Sequence, residues 1–143
     1  MKTFIAKDKD IQKIWYIVDA KDKILGRLAT RVASILIGKD KVIYSPHQNL
    51  GDEVIVINAA KIKVTGKKLA QKEYKRYSEY PGGLNIETLE AVLKKDPERV
   101  IRHAVHGMLP KNKLGAKMLK KLRVYADDKH PHASQNPKEL VIK

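Results

Sequence analysis

The sequence predicts an α/β fold: a small, mostly parallel sheet flanked by helices in three layers, with a basic helical C-terminal part and extended tails. Three observations carry this. WYIVDA (15–20) reads as a buried strand ending in turn chemistry. Leu25, Leu28, Ala29, Val32, Ala33 and Leu36 then recur at helical spacing, and Gly38 is a C-terminal stop. VIVINA (54–59) is a short continuous run of the kind found in strands covered on both faces. Strand, helix, strand in that order implies a right-handed crossover between parallel neighbours.

Residues 1–14 form an N-terminal extension to this unit. After it, KIKVTGKK (61–68) reads as a short strand or ribbon running into a Gly turn. KEYKRYSEY (72–80) reads as extended chain, and TyrProGlyGly (80–83) is turn chemistry. A helix over 86–95 would gather Ile86, Leu89, Val92 and Leu93 on one stripe. Glu87 and Glu90 come early in it and Lys94 and Lys95 late, which complements the helix dipole. This is an ordinary solvated helix, and it mixes both signs of charge.

The next two helices do not mix them. Asp96 caps the first and Pro97 suits its first position. Val100, Ile101, Ala104, Val105, Met108 and Leu109 gather on one side, opposite Arg99, Arg102, His103 and His106, until Pro110 ends the run. Asn112 caps the second helix, with Leu114, Met118, Leu119 and Leu122 across from Lys113, Lys117, Lys120 and Lys121. Like charges one turn apart, such as Lys113 with Lys117 and Lys117 with Lys121, each cost about 0.2–0.5 kcal/mol in an isolated helix. A polyanion lying between them removes that cost. Gly107 and Gly115 sit on or beside these helices, where each costs up to about 1 kcal/mol against Ala. A tight helix–helix corner explains Gly107, and close approach of a nucleic-acid backbone explains Gly115. Residues 127–143 form a C-terminal tail. With no internal repeat and no linker, residues 1–143 make a single domain.

Composition narrows the function. The chain has no Cys, which excludes a disulfide framework, a thiol nucleophile and a cysteine zinc site. MKTFIAKDKD lacks the apolar segment of a signal peptide, and no apolar run approaches a membrane span, so a cytoplasmic location is expected. Thirty Lys and Arg against sixteen Asp and Glu leave a formal charge of +14, a field that attracts polyanions. The excess is concentrated. Lys61, Lys63, Lys67, Lys68 and Lys72 lie between Glu53 and Glu73 with no acid among them. Arg99, Arg102, Lys111, Lys113, Lys117, Lys120, Lys121 and Arg123 lie between Glu98 and Asp127 under the same condition. These two windows are the candidate binding surfaces.

Other chemistry has weaker support. His103 with His106, and His130 with His132, have histidine spacing, but no acid completes a metal cage. Ser34, Ser45, Ser78 and Ser134 lack any nucleophile-elbow context. ThrGlyLysLys (65–68) resembles the end of a phosphate loop without its first Gly or its closing Ser/Thr. Asp52 and Glu53 read as a cap or turn, and Trp15 and Tyr16 as core. Tyr74, Tyr77 and Tyr80, set among Lys75 and Arg76, are candidates for stacking on RNA bases. Two alternatives stand beside a structural RNA-binding role: a free regulator binding a messenger, and an enzyme acting on an anionic substrate at the sheet edge.

AlaValHisGlyMetLeuProLysAsnLysLeuGly (104–115), MetLeuLysLysLeuArgValTyr (118–125) and HisProHisAlaSerGln (130–135) resemble the signature of the bacterial large-subunit ribosomal protein L-thirteen family. WYIVDA and LGRLAT within 15–30, SerProHis at 45–47, GlyAspGluValIleValIleAsnAla at 51–59, LysValThrGly at 63–66 and TyrProGlyGly at 80–83 follow the family in the same order. Ala116, Asp127 and Tyr77 depart from its usual pattern, the first two lowering local positive charge. The resemblance implies an α/β protein of the large subunit that binds large-subunit ribosomal RNA and supports early assembly. It implies neighbouring ribosomal proteins as further partners and, in some members, the protein's own messenger RNA. It implies no catalysis, cofactor or metal. Together with the windows it gives an RNA-binding set of Arg27, Arg31, His47, Lys61, Lys63, Lys67, Lys68, Arg99, Arg102, His106, Lys111, Lys113, Gly115, Lys117, Lys120, Lys121, Arg123, His130 and His132.

Overall fold

A computed structural model describes residues 4–142. Within the N-terminal extension Ala6 is buried, and its carbonyl accepts from the Gln48 amide at 2.8 Å. The Ile14 N–H donates to the Asp52 carboxylate at 3.0 Å, tying the extension to the sheet. Strand β1 (Trp15–Asp19) follows, then helix α1 (Leu25–Ile37). The six apolar positions predicted for α1 are all buried, joined by Ile35 and Ile37. Gly38, at φ +83°, closes the helix by donating to the Ser34 and Ile35 carbonyls. A Cβ on Gly51 would strike the Leu36 carbonyl, so only glycine lets the chain pass this close to α1 before β2.

Strand β2 (Glu53–Ile57) buries Val54, Ile55 and Val56 completely, as a run covered on both faces should. The next segment corrects the expected strand at 61–68. It opens as a turn of 3-10 helix (Ala59–Lys61) and makes a single parallel bridge, Lys63 to Ile24. Gly66, at φ +63°, then turns the chain into α2 (Lys68–Gln71), one helical turn. β3 (Glu73–Tyr77) and β4 (Leu84–Thr88) form an antiparallel hairpin from Glu73 opposite Thr88 to Tyr77 opposite Leu84.

That hairpin corrects the helix expected over 86–95. Ile86 and Glu87 are strand residues, and Ile86 is exposed instead of lying on an apolar stripe. Helix α3 (Leu89–Lys95) starts three residues later, capped by the Thr88 hydroxyl, and buries Leu89 and Val92. The same residues satisfy helical spacing and strand alternation, and pairing with 73–77 decides between them.

Helix α4 (Pro97–Met108) begins where predicted, with the Asp96 carboxylate accepting from the Arg99 N–H at 3.2 Å. Helix α5 (Lys113–Leu119) is capped by Asn112, whose side-chain oxygen accepts from the Gly115 N–H at 2.8 Å. It stops short of the predicted end because Leu122–Val124 is β5, paired with β2 from Val54 opposite Leu122 to Val56 opposite Val124. The tail also returns: β6 (Lys138–Glu139) pairs with β1. The order β5–β2–β1–β6 is parallel throughout, a four-stranded sheet flanked by helices. Leu28, Leu36, Ile55 and Ile101, each almost fully enclosed, contribute about 1.5–3 kcal/mol apiece by burial.

Candidate nucleic-acid interface

Helix α4 buries Val100, Ile101 and Val105, which turns Arg102, His103, His106 and Gly107 to solvent. Opposite this outer face runs the first basic window. Between them lies an open groove of about 670 Å³. One wall is His103, Ala104, Gly107 and Met108 of α4, and a second is Ile24, Leu25 and Gly26 at the start of α1. The third is Val64, Thr65, Lys68, Gln71 and Lys72. The lining is mostly apolar and includes no carboxylate.

At one end of the groove the buried Tyr74 ring meets the His103 ring edge-on, with centroids 5.2 Å apart. The Lys72 ammonium stands 5.6 Å from the same ring. Burial pushes the Tyr74 hydroxyl up in pKa, against the opposing pull of Arg99. His103, although exposed, is held below its ordinary value, first by partial desolvation, then by the charges of Lys72, His106, Arg99 and Lys111. Lys72 belongs to one window, Arg99 and Lys111 to the other. The two windows, distant in sequence, therefore add their fields at His103.

The remaining candidates differ in how free they are. Lys61, Lys67, Lys113, Lys117 and Lys120 are exposed and have no carboxylate within ion-pair distance among the described residues. Arg27 and His47 are exposed, and Lys68 reaches the Thr65 hydroxyl at 3.4 Å. The exposed Lys111 donates to the His106 carbonyl at 3.1 Å. Others carry acidic partners that the sequence windows conceal. Arg31 pairs with Asp40 at 3.0 Å, Lys63 with Asp22 at 2.6 Å, and Arg99 with Glu87 at 2.9 Å. Arg102 approaches Glu98 at 3.8 Å. These pairs are solvent-exposed or nearly so, and each is worth about 0–1 kcal/mol, so a phosphate can displace the acid.

Two candidates are corrected. Lys121 is 6% exposed and donates to the Gly51 carbonyl at 2.6 Å. Burial lowers its pKa, Lys13 and Lys41 lower it further, and Glu53 and Asp52 oppose them. Because α5 has already ended, Lys121 lies inside the molecule and not on a lysine face. Gly115 is buried as well, and a Cβ there would strike the Pro110 carbonyl. Its small size serves the turn between α4 and α5, not an approaching backbone. Gly107 is the reverse of the corner expected of it: a Cβ there would meet nothing within 4 Å, and the residue opens onto the groove.

Arg123 and His132 have structural work. Arg123 forms an ion pair with Glu53 and lies 4.7 Å from the Trp15 ring centroid. His132 packs against the same ring at 5.5 Å, and its Nε2 is 2.7 Å from the Tyr125 hydroxyl. The His132 N–H donates to His130 Nδ1 at 3.3 Å, so the His-Pro-His segment locks the tail onto β1 and β5. Asp52 likewise serves structure, accepting from Lys41 at 2.6 Å and from Ile14. Among the described residues no cluster of three His, Asp or Glu has metal-holding geometry, and no helix is long and apolar enough to cross a membrane. Sequence reasoning leaves Lys72 and His103 out of the binding set. Their presence in a basic window and on a cationic helix face was readable, but their meeting across a groove was not.

Taken together, the fold and the site define a basic α/β scaffold protein, with its cations spread over surfaces instead of converging on a reacting centre. The chain belongs to the ribosomal protein L13 family, whose model matches residues 13–131. It is 57% identical to the large ribosomal subunit protein uL13 of Finegoldia magna over 143 residues, covering 100% of both chains. It is 56% identical to the protein of that name from Maridesulfovibrio salexigens over 140 residues, 98% of this chain and 99% of the relative. For the Thermosynechococcus vestitus protein of the same name the identity is 54% over 142 residues, covering 99% and 93%.

Proposed function

We propose that the chain is a structural constituent of the large ribosomal subunit, in the cytoplasm, where it binds large-subunit ribosomal RNA beside neighbouring ribosomal proteins and supports early assembly. Its family is one of structural proteins and not of enzymes. The observation that carries the reading is that Lys68 and Lys72 of one basic window and His103 from the cationic face of α4 line a single groove without a carboxylate, in a chain that matches its relatives end to end. Affinity comes mainly from neutralising phosphates. Log K then falls by about 0.7–0.9 per phosphate contacted against log salt.

Sedimentation tests this directly. A tagged chain in cell lysate at moderate salt should travel with large subunits and with their assembly precursors. Its recovery only among free proteins would refute the reading.

A further inference from the structure

The groove between α1, α4 and residues 64–72 joins cationic side chains to a mostly apolar lining without a carboxylate. On α5, Lys113, Lys117 and Lys120 stand on open ground, suited to the outside of an RNA backbone. In the groove an apolar floor is combined with a cationic rim. Leu25, Ala104 and Met108 supply the floor, and Lys68, Lys72 and His103 stand at the rim. We propose that this groove receives one unpaired nucleotide of the bound RNA, with its base against the floor and its phosphate between Lys68 and Lys72. The proposal rests on the RNA-binding reading above and assigns one surface within it.

Three features favour a nucleotide over an apolar side chain of a neighbouring protein. The rim carries cations and the lining carries no carboxylate, which suits a group that brings its own negative charge. Thr65 and Gln71 add hydrogen-bonding side chains to an otherwise apolar wall, the mixture that reads a splayed-out base edge. Gly26 and Gly107, on opposing walls, have nothing within 4 Å of where a Cβ would stand, so the opening is clear to a flat ring. The field that holds His103 below its ordinary value, from Lys72, His106, Arg99 and Lys111, marks the same place as short of an anion.

Gly107→Leu tests the proposal, because it fills the groove without touching a charge. The position is helical and unobstructed, so the variant should fold and melt at or above the wild-type temperature. Gly107→Ala is the control: it has the same gain in helix propensity with little intrusion. The probe is a full-length large-subunit ribosomal RNA transcript, titrated over a range of salt. Losing one base seated on the apolar floor should weaken Gly107→Leu about 5- to 30-fold, the order expected for the apolar area a base face removes from water, with the salt slope unchanged, while Gly107→Ala binds as wild type. Lys68→Gln with Lys72→Gln should instead flatten the slope by about 0.7 units, as loss of one phosphate contact to a single strand requires. Transcript carrying 4-thiouridine should crosslink to the peptide containing Val100–Met108.

Unchanged affinity in Gly107→Leu overturns the proposal. So does a variant that binds transcript normally but is excluded from large subunits, since the groove would then hold a segment of another protein. If the wild-type chain itself fails to bind the transcript, the function proposed above falls first, which separates the two failures.

Discussion

Lys121 tests whether burial or charge decides a residue's role. Read along the sequence, it extends the lysine row of α5. In the fold it is 6% exposed and donates to the Gly51 carbonyl at 2.6 Å, next to the place where Gly51 passes α1. Lys121→Met keeps the length of the side chain and removes the ammonium. A buried hydrogen bond to a charged donor is worth about 1.5–3 kcal/mol, and the carbonyl is left unpaired. Relief of the ammonium's own desolvation, and of its repulsion by Lys13 and Lys41, offsets part of this. The net expectation is destabilisation by about 1–2 kcal/mol, which at this chain length lowers Tm by about 2–8 °C. Lys117→Met, on the exposed side of α5, should stay within about 0.5 kcal/mol of wild type. Thermal melting and salt-dependent RNA titration of both variants should separate them. Lys121→Met loses stability and keeps the slope, whereas Lys117→Met keeps stability and loses about 0.7–0.9 of slope. A Lys121→Met protein that melts at or above wild type yet binds RNA with a shallower slope would refute the reasoning.

The two glycines should separate in the same way. Gly115→Ala drives a methyl into the Pro110 carbonyl and should cost about 1–3 kcal/mol, more than its gain in helix propensity, whereas Gly107→Ala should gain up to about 1 kcal/mol. Denaturant midpoints of the pair check this, and equal midpoints would count against the packing argument. Replacing Lys113, Lys117 and Lys120 together by Gln should leave Tm nearly unchanged and flatten the RNA salt slope by about 2–3 units; an unaltered slope would mean that these lysines face only solvent. His103 and His132 are both held below the ordinary histidine value, first by partial desolvation, with Lys72 prominent for the first and Arg123 for the second. As pH falls through about 6.5 the unfolded chain takes up protons that these folded sites refuse, so stability falls, and it levels off below the folded values. Replacing both by Asn should remove that fall from a plot of Tm against pH.

What the sequence made legible was what short-range chemistry decides. The α1 stripe, the closed run of β2 and the caps at Asp96 and Asn112 all depend on residues within a few positions of one another, and each is found where the pattern places it. Ile86 and Leu122 were misplaced for a common reason. Each continues a helical period locally, but each is claimed by a strand partner far away in sequence, β3 for Ile86 and the open edge of β2 for Leu122. Depth was equally hidden: a lysine at 121 looks like a lysine at 117 until the course of the chain around Gly51 is known.

Charge needs the same separation of sequence from space. The two windows contain no acid, yet folding brings Asp22 to Lys63, Glu87 to Arg99 and Glu53 to Arg123. A tally of cations therefore overstates the free positive surface. Among the described cations that escape this compensation are two groups of different character: the outer side of α5 with Lys113, Lys117 and Lys120, and the groove rim with Lys68, Lys72 and His103. The first is open and purely ionic, so variants there should change the salt slope and little else. The second joins charge to an apolar floor, so its Gly107 wall can be altered to change affinity without changing the slope. A single ionic footprint would make every loss of affinity parallel a loss of slope. Finding the two uncoupled at Gly107 and coupled at Lys117 would establish that this surface holds RNA in two physically distinct ways.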